Sequence, residues 1–374
     1  VLNALAEKLF YTGYVDTVGE DGVVVEGERN LSGYVKIAEG LTTAAVTKYV
    51  GDVEFNKENG QGGLLEGSLN PEITKPATPV VKEEFKSALG TGEHNFTADK
   101  NSFNDAFETK EDVYYGGAVD TTISAAGDSA VTKVEVGNKE LNIGNISADN
   151  HAFGIVASGS GEVVMNNVGE LNINAQATGE GKNAAALYAQ DGGKVEINVA
   201  KDGIVNLAAE GVGSDSSVVN AQGGAQITVN GMVNIDAEGK NVKNAVNANA
   251  ATVNIGGGAI VVGEGKVAIK VEGVAGQQGV ININTDEDGK GKGNEVRIKG
   301  DISTKKEVAT FRMARMTGDQ YAMANITLGT KESKWEGNYL GDANSVMNLS
   351  AEAGSEWIGD IKEGSKANVV LAGG

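Results

Sequence analysis

From Leu141 onward the chain repeats one short pattern, apolar then polar then apolar. It reads Leu141-Asn142-Ile143, Leu171-Asn172-Ile173, Val205-Asn206-Leu207 and Val233-Asn234-Ile235, then a deviant Ile260-Val261-Val262, at offsets of 30, 34, 28 and 27 residues. A second phrase follows each one: Ile155-Val156-Ala157, Leu187-Tyr188-Ala189, Val219-Asn220-Ala221, Val246-Asn247-Ala248 and Ile269-Lys270-Val271. A third completes the cycle: Val163-Val164-Met165, Val195-Glu196-Ile197, Ile227-Thr228-Val229, Val253-Asn254-Ile255 and Ile281-Asn282-Ile283. The apolar positions alternate with period two and are rich in β-branched residues, which predicts strands. Gly, Asn and Asp clusters between the phrases predict turns.

Three strands per cycle, at a period of roughly 22 to 34 residues, is the arithmetic of a parallel β-helix. Inward residues such as Leu171, Val205 and Val233 then stack as aliphatic columns, and small Ala in the second phrase suits a narrow interior. The middle Asn of the first phrase recurs at Asn142, Asn172, Asn206 and Asn234. Stacked amides can donate to one neighbour and accept from the next, so this column is expected to be a structural ladder.

Composition agrees with a long β-rich body. Hydrophobic residues are 40% of the chain but aromatics only 5%, so the core is aliphatic; Gly is abundant at 54 and Pro scarce at 3. The formal charge of −20 and the lack of a basic patch interleaved with aromatics argue against nucleic-acid binding. With no Cys, disulfide scaffolds, cysteine zinc sites and thiol nucleophiles are excluded. The sequence opens at Val1 with no signal peptide or bilayer-spanning apolar run, and reads as a mature or excised piece.

Toward the C-terminus Ile326-Thr327-Leu328, Met347-Asn348-Leu349 and Val369-Val370-Leu371 recur at 21 and 22 residues. Between them lie Ser333-Lys334-Trp335-Glu336-Gly337 and Ser355-Glu356-Trp357-Ile358-Gly359, which hold the only two Trp and should stack them on one another. This strand followed by S-x-W-x-G resembles the passenger domains of Gram-negative autotransporters (type V secretion). The stretch GERNLSGYVKIAEGLT, Gly27 to Thr42, is similar to segments of large autotransporters of anaerobic bacteria. The resemblance covers residues 118–374 and that short segment. It implies a right-handed parallel β-helix exported to the cell surface ahead of a translocator barrel, which this sequence does not contain. It carries over no catalytic motif.

The expected organisation is all-β: a right-handed parallel β-helix of three strands per coil over 118–374, a transition or capping segment at 83–117, and a small N-terminal cap or head at 1–82. Residues 2–10 and 38–50 read as short helices in that region. All three Pro (Pro71, Pro76, Pro79) mark a linker near 70–82. An exposed first coil needs a cap, and part of 1–117 is expected to supply it.

Several motifs suggest chemistry. Asn284, Asp286, Asp288, Gly289 and Glu295 match the spacing of a calcium loop, but strand flanks and Gly291 at the anchoring position favour a charged inter-coil loop. Gly127-Asp128-Ser129-Ala130 resembles part of a serine-protease nucleophile loop. About 128 residues before it are too few for a protease head, and the chain's two His, His94 and His151, bring no partner for a triad or a metal site. Arg312 and Arg315, with Arg297 and Lys305-Lys306, form the most basic cluster and read as a solvated strand face.

The sequence is therefore expected to be a non-enzymatic adhesin, without cofactor or metal, that attaches to a host or bacterial surface receptor or to itself. Loops such as Ala177–Asn183 and Glu210–Ser217 are the expected contact surfaces. The rivals are a β-helix enzyme acting on polysaccharide, which would need clustered acids and Arg or Lys in a groove, and an inert stalk.

Overall fold

The computed structural model describes residues 80–108, 110–111, 118–274, 276–286, 290–306 and 321–371, together with four two-residue strands nearer the N-terminus. The chain divides into two compact units, Val1–Val80 and Val81–Gly374. In the first, Thr17–Val18 pairs antiparallel with Val24–Val25, and Val35–Lys36 with Gln61–Gly62. The helices expected at 2–10 and 38–50 lie outside the described residues.

The second unit is a parallel β-helix built from a 15-stranded and a 9-stranded sheet. One coil shows the construction. Glu162–Ala177 runs along the larger sheet and carries the third and first phrases in a single strand. A bend at Asn167, where φ is 51°, turns one phrase away from the other and shifts the register locally. The chain then turns over 178–183, crosses the smaller sheet as Ala184–Gln190, and turns at Asp191–Gly192 into Lys194–Gly211. Beyond Gly279 the two phrases separate into distinct strands, such as Gly279–Ile283 and Val296–Lys299.

Parallel pairing sets like residues on like. Ile143, Ile173, Leu207, Ile235, Ile260 and Ile298 form one inward column that continues into Trp335 and Trp357. Ala125, Ala157, Ala189, Ala221 and Ala248 form another, each at most 1% exposed. Each fully buried Leu or Ile side chain of the first column contributes about 1.5–3 kcal/mol relative to exposure.

Two register expectations are corrected. Asn234 lies opposite Ala259, so the rung after Val233-Asn234-Ile235 is Gly258-Ala259-Ile260, two residues earlier than Ile260-Val261-Val262. Near the C-terminus the aligned triplets are Ala324-Asn325-Ile326, Met347-Asn348-Leu349 and Ala367-Asn368-Val369. A shift of two residues leaves every side chain on its original face, so alternation alone cannot fix it.

At the N-terminal end, Lys82–Ser87, Gly92–Asn95 and Lys100–Glu108 already run parallel in the larger sheet. Lys82–Ser87 is its end strand and is charged at Lys82, Glu83, Glu84 and Lys86, which blunts edge-to-edge pairing. The smaller sheet ends in Lys110–Glu111, which runs antiparallel to Val119–Ala126. Phe85, Phe96, Phe103 and Phe107 fill the core here, with Phe85 stacked on Phe103 at 4.8 Å.

The S-x-W-x-G phrase is a short rung that ends in a close turn at its glycine. Trp335 and Trp357 stack with ring centroids 4.7 Å apart and planes 2° apart. Each indole N–H donates across to the preceding coil: Trp335 Nε1 to the Gly300 carbonyl and Trp357 Nε1 to the Gly337 carbonyl, both at 3.0 Å. The glycine is required because a Cβ at Gly337 would fall 2.0 Å from the Gly300 oxygen. Replacing the fully buried Trp335 by Ala should therefore cost about 3–5 kcal/mol. In a solenoid the loss stays local. Amide exchange should accelerate in the coils after Val296, and Trp357 emission should shift to longer wavelength, while coils before Ala237 keep their protection.

Candidate functional site

The outward side of the first-phrase arm carries a run of four bonded amides. Asn172 Nδ2 donates to Asn142 Oδ1 at 2.9 Å, Asn206 to Asn172 at 2.8 Å and Asn234 to Asn206 at 3.0 Å. The expected ladder is thus present. Others accompany it: Asn198 and Asn230 continue upward from Asn166, and Asn247 donates to Asn220. The longest runs Asn254, Asn282, Asn325, Asn348, Asn368, with steps of 2.7–2.8 Å. The sequence reading missed it because its members are split between differently registered phrases. In all of them the amide N–H donates toward the preceding coil. Each such bond is worth about 1 kcal/mol net.

The donor end of the first ladder is capped. Asn142 Nδ2 donates to Glu140 Oε1 at 2.9 Å, and Lys100 Nζ pairs with the same carboxylate at 2.6 Å. The Asn142 bond, then Lys100, hold the Glu140 pKa below the usual carboxylate range.

Beside the ladder lies a groove of about 530 Å³ lined by the Asn142–Gly144, Asn172–Asn174 and Asn206–Ala208 segments with Asn234 and Asp236. Small side chains at Gly144 and Ala208 leave the space open. Among the described lining residues none is Lys, Arg or His.

Further along the same face the character changes. A second concavity of about 410 Å³ is lined by Val261, Arg297, Ile298, Lys299, Glu332, Lys334 and Glu336. Here the ladder positions are taken by Arg297 and Lys334. Arg297 pairs with Glu295, Lys299 with Glu238 at 2.6 Å, and Lys334 with Glu336 at 2.5 Å and Glu356 at 3.2 Å. Hydrogen bonds from these partners raise the Lys299 and Lys334 pKa values and lower that of Glu336. Each shift favours the charged form of its group.

The other singled-out residues have structural surroundings. Gly127–Ala130 is a tight turn between the smaller and larger sheets, closed by Ala130 N–H to the Gly127 carbonyl. Asn284 is fully buried and spends its amide on the Asn294 and Thr327 carbonyls, while Asp286 accepts from the Lys290 N–H. Among the described residues no three His, Cys, Asp or Glu converge as metal ligands. Asp288, Gly289, Arg312 and Arg315 lie outside the described residues; Lys306 sits 4.2 Å above the Tyr321 ring. The loops at Ala177–Asn183 and Glu210–Ser217 do not project separately. Glu210 and Gly211 belong to a strand, Gly213 N–H donates to the Lys182 carbonyl, and Asp215 N–H to Asn183 Oδ1. The turns stack as the strands do. The sheet groove, which sequence reasoning missed, is the larger concavity of the two. The small outward residues beside an Asn column were its only signal.

Among the described residues no helix is long and apolar enough to cross a membrane. Comparison with protein-family profiles, with curated proteins and with solved structures finds no match.

His151 links two coils through the Asn183 N–H, which donates to Nδ1 at 2.8 Å. Burial, then Lys182, push its pKa below the ordinary value of 6.5, against a smaller opposing pull from Asp215. The unfolded chain then binds a proton more readily than the folded one in that window, so stability falls as pH drops through 6.5 and is complete above it. An NMR titration should place the His151 midpoint below 6.5, with faster Asn183 amide exchange in acid than His151→Gln allows.

Proposed function

We propose that this chain is an attachment module, the exported passenger of an autotransporter-like system, which binds a cell surface through the outward face of its β-helix. The observation that carries the reading is the long outer face, most of whose rungs present either bonded amides or paired charges. Interaction surfaces of this kind are built by solenoids, whose stacked repeats give extended binding faces. The S-x-W-x-G phrases and their resemblance to autotransporter passengers support the export route. The formal net charge of −20 favours partners other than nucleic acid.

The full chain coupled to beads should attach saturably to epithelial cells or to bacteria, and should release no new reducing ends from a polysaccharide panel assayed in parallel. Product release without attachment would establish the enzyme reading in its place, and neither activity would leave a stalk.

A further inference from the structure

We propose that the groove beside Asn142, Asn172, Asn206 and Asn234 takes a linear neutral polysaccharide laid along the coil axis; this rests on the attachment reading and names its ligand class. The groove's volume of about 530 Å³ falls within the range of ligand-binding clefts. Its polar equipment is made of amides, with Asp236 the single charge. An anionic chain would meet that carboxylate and a net −20 with no lining cation to offset either.

The ladder leaves valences unspent. Asn206 and Asn234 each give one amide hydrogen to the ladder and keep the other, and the Oδ1 atoms of Asn142, Asn172 and Asn206 each accept one bond with a second lone pair to spare. Asn174 is exposed and outside the ladder. The face therefore offers donors and acceptors in alternation, which suits hydroxyl groups because each can do both.

Spacing selects among neutral chains. The array repeats once per rung, about 4.8 Å, whereas an extended peptide presents same-facing side chains roughly every 6.6–6.8 Å and loses step within two rungs. An extended β-1,4-linked pyranose chain advances by roughly one rung per sugar with successive sugars turned over, so like faces recur at about two rungs and stay near the array's step. The room comes from Gly144, where an added Cβ would come no nearer than 3.8 Å to its neighbours, and from Ala208.

The test is calorimetric titration of the full chain with soluble neutral β-linked glucose and N-acetylglucosamine oligomers, and with hyaluronate as the anionic arm. Binding to a neutral oligomer is expected, weakened at least tenfold by Gly144→Leu with Ala208→Leu, at unchanged circular dichroism and melting. Should that pair disturb folding, Asn174→Trp fills the groove from an exposed position, and Gly263→Leu, on a turn, is the control that should bind as the parent does. Preference for hyaluronate, or neutral binding indifferent to Asn174→Trp, would overturn the proposal. Cell attachment without oligomer binding would remove the proposal and leave the attachment reading standing, whereas oligomer binding lost on Asn174→Trp without cell attachment would do the reverse.

Discussion

Every feature of the β-helix depends on one constraint, the in-register parallel hydrogen bonding that sets each coil directly on the one before. At a rung separation of about 4.8 Å, side chains at one position touch their own counterparts above and below. The position must therefore suit itself. Isoleucine over leucine, alanine over alanine, asparagine over asparagine and tryptophan over tryptophan all satisfy this. The same closeness dictates glycine where backbones nearly touch. A Cβ at Gly193 would lie 2.3 Å from the Ala157 carbonyl oxygen. Charge departs from the rule, since Arg297 lies directly opposite Lys334, and Glu295, Glu336 and Glu356 beside them offset the like charges.

That constraint explains why so much of the fold was legible in the sequence. The phrases at Val163, Val195, Ile227, Val253 and Ile281 align in the sheet as read, because each carries β-branched residues at alternate positions between turn residues. The stacking of Trp335 on Trp357 followed from their equal place in consecutive phrases. Legibility failed where the apolar signal thinned. At Gly257-Gly258-Ala259 a corner removes the aliphatic residues, and the next apolar triplet two residues on was read as the rung. The Asn254 to Asn368 ladder was hidden for a related reason, since insertions of unequal length separate its members. The groove was least legible, because a concavity depends on which outward residues are small, and Gly144 and Ala208 look like turn or filler residues until the sheet places them in one column, two rungs apart, with Asn174 between.

The amides have two roles that reinforce one another. Hydrogen bonds along the axis lock each Asn side chain, so little rotamer freedom remains to be lost when a ligand binds. The valences left over face outward. Glu140 and Lys100 close the donor end of this array, and the charged coils after Val296 follow its acceptor end. A surface of this kind recognises by repetition rather than by a single deep pocket.

The central claim is that Asn172 and Asn206 occupy one column on adjacent rungs, and the chain's lack of cysteine makes it directly testable. Paired cysteines at Asn172 and Asn206 should oxidise readily to a disulfide, since adjacent parallel rungs bring Cα atoms to about 5 Å, within the bonding range. Cysteines at Asn172 and Asn234, two rungs apart, should remain reduced under the same conditions. Efficient crosslinking of the second pair, with none in the first, would contradict the stacked coil on which the account rests.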